Sequence, residues 1–247
     1  MYETFIAVLN LDLVWTCAIS LLSGLMLGYT GWGGALVAMP LLVFLFGPVE
    51  ALLIVMIGAG FVIARLVPDA ARQTNWKMMM PLLIAMVVTV PVGSWMLFFL
   101  DPDVTRRIMG FVIVAASILV LTGWRYRGPM NALAGAVVGC VSGVINGFIG
   151  LGGPPLVIYM LASNMPSAEQ RANILIAMAV VTLVILISMG VGGGVTLEGV
   201  YRGLIAAPFQ MAGGAFGAWL FKVVPDETFK KFSLIALVVL GVSVALF

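Results

Sequence analysis

Two glycine-rich stretches carry the pattern in this chain from which chemistry can be read. SGLMLGYTGWGG, residues 23–34, and SGVINGFIGLGG, residues 142–153, each place three glycines within four positions. These are Gly31, Gly33 and Gly34 in the first copy and Gly150, Gly152 and Gly153 in the second, with Pro40 following the first and Pro154 and Pro155 directly following the second. Such a cluster disfavours regular helix. Non-helical backbone at membrane depth is tolerated where it is buried in protein or lines a cavity. A break of this kind exposes the N–H groups that open the next helix, which suits an anion by donor geometry and by helix dipole. Two breaks converging on one point would replace the hydration shell of a small oxyanion. The alternative is that they serve only the fold.

Polar side chains around the breaks extend the candidate site. Tyr29, Thr30, Trp32, Asn146 and Tyr159 could donate hydrogen bonds to oxyanion oxygens or wall the cavity. Gln210, in the apolar stretch IAAPFQMAGG, is a further candidate, because polar groups at membrane depth are costly and point to function. Glu50 and Glu169 open the helices that follow the two short proline-bearing segments. They are read either as caps on positive helix ends or as carboxylates that couple transport to protons. Gly24, Gly28, Gly143 and Gly147 are read as helix-packing glycines, with Gly24 and Gly143 expected to tolerate one methyl group.

Other chemistries are excluded by what the chain lacks. With no histidine, there is no histidine-ligated metal, histidine proton relay or serine-histidine pair, and Ser142 has no base nearby to activate it. Cys17 and Cys140 stand apart in apolar stretches and read as small packing residues. There is no GxxxxGK[ST] motif for ATP and no basic cluster for nucleic acid, and no cofactor is implied.

The elements that must position these residues follow from an internal repeat. At a constant offset of 119, Ser23, Gly24, Gly28, Gly31, Gly33 and Gly34 meet identical residues, and Glu50 meets Glu169. After five inserted residues Gly93 and Trp95 meet Gly217 and Trp219, and Arg106-Arg107 meets Lys230-Lys231. Residues 1–124 and 130–247 are therefore read as two repeats joined by a cytoplasmic linker, 125–129. Full-length spans are expected over 13–29, 49–67, 78–100 and 108–123, then over 131–149, 172–191, 203–221 and 232–247. The short pieces 36–46 and 155–162 read as half-helices.

Charge counting then sets the topology. If each short piece returns to its starting face, nine cations collect on one side, namely Arg65, Arg72, Lys77, Arg125, Arg127, Arg171, Lys222, Lys230 and Lys231. Arg106, Arg107 and Arg202 lie on the other. This makes the chain an all-α integral membrane protein of two inverted-topology repeats. Each has about five segments, the second a half-helix after the glycine break, with both termini in the periplasm and the loop from Arg65 to Lys77 cytoplasmic. The opening segment lacks a basic start and is expected to be retained. Composition agrees with a bilayer setting, at 63% hydrophobic, 9% charged and mean hydropathy +1.20.

The paired motif, each copy between a long helix and a short proline-bearing segment, resembles that of the sulfite exporter family of TauE/SafE type, also described as the sulfonate-uptake permease superfamily. Its usual run is G-x-G-G-G followed by proline. Gly31-Trp32-Gly33-Gly34-Ala35 and Gly150-Leu151-Gly152-Gly153-Pro154 each replace the last glycine. The resemblance covers essentially the whole chain. It implies a secondary transporter, not an enzyme, that moves sulfite, thiosulfate or a short organosulfonate such as sulfoacetate across the bacterial inner membrane. Export by alternating access is the leading reading, with protons as a candidate coupling ion; a small-anion channel is the alternative.

Overall fold

The computed structural model describes residues 11–121, 126, 128–163 and 165–223. The expected span 232–247, the Lys230-Lys231 pair, Arg125 and Arg127 of the linker and both chain ends lie outside the described residues. Within them the chain is all-helical: α1 Leu11–Thr30, α2 Gly34–Phe46, α3 Pro48–Gln73, α4 Trp76–Phe99, α5 Pro102–Leu121, α6 Ala132–Ile149, α7 Gly153–Leu161, α8 Ser167–Gly192 and α9 Leu197–Val223. Six of these are long and apolar enough to cross a bilayer: α1, α3, α4, α6, α8 and α9. Trp15, Phe44, Trp95 and Phe111 are all more than half exposed. A fold surrounded by lipid has no reason to bury such side chains.

The repeat register reappears in the helices. α3 and α8 are each 26 residues long, with both ends separated by the same 119 positions. α2 runs for 13 residues against 9 in α7. Helix pairing also comes in matched sets: α1 packs along α9 as α4 packs along α6, and α3 crosses α8 at the centre. The expected loop from Arg65 to Lys77 is corrected, since α3 continues through Pro68 to Gln73 and carries Arg65 and Arg72, leaving only Thr74 and Asn75 between helices. Pro68 stays inside the helix because membrane helices can re-satisfy the backbone group that proline frees. Asn75 and Asn131 cap α4 and α6 by accepting from the Met78 and Ala134 amides.

Two glycine seams set the backbone spacing. A Cβ on Gly24, Gly28, Gly213 or Gly217 would run into backbone atoms across the α1–α9 contact. Across α4–α6, a Cβ on Gly93, Gly139 or Gly147 would do the same, and one on Gly143 would strike Thr89 Oγ1. In a bilayer, helix association rests on such close approach, with no hydrophobic drive to compensate for separation. The expectation that Gly24 and Gly143 tolerate a methyl group is therefore corrected: Gly24 faces fixed backbone, and at Gly143 the Thr89 side chain would have to move. Cys140, expected to pack, is exposed on α6, whereas Cys17 is half-buried.

α2 folds back along α1. Its first residue, Gly34, stands level with Ser23, whose carbonyl oxygen would lie 2.8 Å from a Gly34 Cβ. Its last, Phe46, lies under Arg202, near Glu50 at the start of α3. α7 folds back along α6 in the same way. There the Tyr159 hydroxyl donates to the Asn131 carbonyl at 3.4 Å. That second hairpin finishes beside Asn173, whose Oδ1 accepts from the Asn75 amide at 2.9 Å. Glu50 and Asn75 flank opposite ends of α3, a helix about 39 Å long at 1.5 Å per residue.

Candidate functional site

Both breaks begin alike. Gly31 donates its N–H to Leu27 O at 2.8 Å and Gly150 donates to Asn146 O at 2.7 Å. Their φ values of 81° and 71° lie in the left-handed region, which glycine enters without steric penalty. Two residues on, they diverge: Gly33 is again left-handed at φ 79°, whereas Gly152 has φ −75°. Gly152 needs to be glycine for space, because a Cβ there would strike the Ser142 carbonyl and the Asn146 amide. One residue type thus answers two separate demands.

A single cavity of about 510 Å³, counted with its open mouth, joins the two breaks. Gly33 and Gly34 with Trp32 line it from the first, Gly150 and Gly153 with Pro154 from the second, and α3 and α8 close it with Met56, Ala59, Met178 and Val181. Among the described residues no charged side chain lines it. Its polar side-chain groups are Asn146, Thr182, Gln210 and the Trp32 indole. Asn146 is 2% exposed and its Nδ2 has no hydrogen-bond partner among the described residues. A buried amide without a partner is expensive, by about 1–3 kcal/mol, and calls for an acceptor that the described residues do not supply. Gln210 is more settled: its Nε2 donates to Ser23 Oγ at 3.3 Å.

Three of these polar groups come from the second half of the chain. At the matching positions of the first half stand Leu27, Ile63 and Met86, all apolar. Thr182 was missed in the sequence. The signal was available, since a threonine where the repeat has isoleucine is as informative as an asparagine where it has leucine.

The other sequence candidates divide. Tyr29 packs edge-on against Phe221 with ring centroids 5.9 Å apart, and neither it nor Gly31 or Gly152 lines the cavity. Thr30 is used within the break, donating to Met26 O at 2.8 Å and accepting from the Trp32 amide at 3.2 Å. Tyr159 lies at the far end of α7 against Tyr126 and does not reach the cavity. The expected pair of amide clusters is corrected too. Prolines 154 and 155 occupy the first turn of α7 and have no N–H, so α2 presents more first-turn donors, although its Leu36 N–H already donates to Gly33 O at 3.1 Å. The α7 dipole still points its positive end at the cavity.

Glu50 is more than a cap. Its carboxylate forms an ion pair with Arg202 of α9, which also meets Glu198 at 3.4 Å, and the guanidinium lies 4.5 Å from the centre of the Phe46 ring. Arg202, at 8% exposure, is the partner the sequence reading missed. Glu169, the repeat counterpart of Glu50, makes no ion pair among the described residues. Glu50→Gln should therefore lower thermal stability by about 1–2 kcal/mol, less than a fully buried pair because Glu198 remains and the site is partly open. Glu50→Leu combined with Arg202→Met should recover most of the loss. A Glu50→Gln protein as stable as wild type would show that solvent screens the pair.

Searches among curated proteins and among solved structures each match nothing. Residues 16–244 match the family described as sulfite exporter TauE/SafE, nearly the whole chain. With its glycine breaks meeting at one cavity among six membrane-spanning helices, this multi-pass membrane protein belongs to the TauE/SafE sulfite exporter family.

Proposed function

We propose that the protein is a secondary transporter that carries a small sulfur-containing anion, sulfite, thiosulfate or a short organosulfonate such as sulfoacetate, out across the bacterial inner membrane. The observation that carries this reading is the orphaned Nδ2 of Asn146 in the cavity between the two breaks. A bound oxyanion supplies the missing acceptor. The α2 amides and two half-helix dipoles compensate its charge without a full cation in the wall.

Alternating access by two inverted repeats, residues 1–124 and 130–247, is the mechanism we infer. Support comes from the matched helix pairings and from the hairpins that finish at opposite ends of α3. Under this reading both termini are periplasmic. Protons are the candidate coupling ion, with Glu169 and Glu50, the latter paired with Arg202, as the candidate carboxylates.

Purified protein in liposomes, offered sulfite, thiosulfate, sulfoacetate, sulfate and acetate, tests the proposal. Saturable uptake of at least one sulfur anion, accelerated by the same anion on the opposite side, is expected. Flux that neither saturates nor responds to trans anion would instead assign a channel. No flux of any of the five would sink the small-anion reading itself.

A further inference from the structure

Arg171 of α8 is placed where packing alone asks for a hydrocarbon. Its Cγ lies 3.3 Å from where a Cβ on Gly31 would stand, seating it on the left-handed turn that opens the first break. At the second break the same seat, beside Gly150, is filled by Leu52, whose Cδ1 would lie 2.9 Å from a Gly150 Cβ. Leu52 and Arg171 are repeat partners at the offset of 119. Leucine fills one seat; arginine fills the other and leaves its Nε buried with no partner among the described residues. No carboxylate among the described residues pairs with it. Instead Nη2 donates to the Gly28 carbonyl at 2.7 Å, and the guanidinium carbon lies 4.9 Å from the centre of the Phe221 ring.

Gly28 belongs to the last turn of α1, which ends at Thr30 beside the break. Each break joins the end of one helix to the start of another, so a negative and a positive half-charge meet there and largely cancel. A cavity bounded by two such junctions keeps only the weak anion preference that the half-helix starts leave after this cancellation. Arg171 removes the negative member of one pair by covering the α1 terminus, and the positive start of α2 is left unopposed. At the second break Leu52 does nothing comparable.

We propose that Arg171 is a positioning residue that sets the sign of the transported ion, acting through the α1 terminus and not by touching the substrate. The inference rests on the small-anion reading. Arg171→Gln keeps a donor for the Gly28 carbonyl and removes the charge. Arg171→Lys keeps the charge, and Arg171→Leu copies the other half. Kinetics in liposomes with whichever of sulfite, thiosulfate and sulfoacetate the wild type moves should show KM raised about tenfold in the Gln and Leu variants, or about 1.4 kcal/mol. In Arg171→Lys it should stay within about threefold, with kcat changing less than KM throughout. Equal KM values for Gln and Lys would overturn the proposal, as would a loss confined to kcat; this comparison stands even where the Leu variant does not fold. A wild-type protein that moves none of the three anions defeats the underlying reading instead, a result separate from the pattern among variants.

Discussion

Asn146→Leu is expected to lose transport by about a hundredfold while its thermal stability stays level or rises. The substituted side chain is the one found at Leu27, the matching place in the first half, where it already lines the same cavity. Leucine keeps the branching of asparagine at Cγ, with two bulkier methyl groups set beside Gly152 and Ser142. Removing an unpaired buried amide relieves a penalty of about 1–3 kcal/mol in the empty protein. The loss falls on the bound state, where a hydrogen bond to a charged oxygen is worth about 1.5–3 kcal/mol. A stabilising substitution that disables the protein marks a functional site more sharply than one that disables and unfolds together. Flux in liposomes alongside unfolding in detergent decides it. Flux within threefold of wild type would remove Asn146 from the site, and a collapse in stability would make it a structural residue.

The second large effect lies in the seams. Gly147→Ala would drive a methyl group into the Val90 carbonyl, and Gly28→Ala would do the same at Gly214. Neither neighbour is a flexible side-chain end, so the helices must move apart. The expected result is a loss of about 3 kcal/mol or more and poor recovery of folded protein. Gly190, in α8, is the control, since a Cβ there meets nothing within 4 Å. Gly190→Ala should be neutral or slightly stabilising through helix propensity. If Gly147→Ala unfolds no more easily than Gly190→Ala, the α4–α6 contact is looser than its geometry says.

The sequence was most readable where a single residue type meets a single demand. Paired glycines, spaced four apart and repeated at a fixed offset, pointed to close helix contact, and helices of matched length and pairing are found there. It was less readable where identical letters serve different ends. Gly33 and Gly152 align, yet one is required by its dihedral angle and the other by its neighbours. Nor could spacing show that Tyr159 turns toward Asn131, or that Glu50 meets an arginine 152 residues away. Such partners depend on how helices distant in sequence come side by side. Local pattern does not encode that.

The one-sided polarity of the cavity carries a consequence for the direction of flow. Under the proposed alternating access, the second half of the chain gives the ligand Asn146, Thr182 and Gln210, and the first half gives it Leu27 and Ile63. The inward- and outward-facing forms then hold it with unequal affinity, although the backbone around it is nearly the same. Detailed balance forbids this from driving net flux without a gradient, so the side with the tighter grip must also have the slower maximal rate. The result is a rectifier in the kinetic sense, sparing with dilute ligand on one side and fast with concentrated ligand on the other.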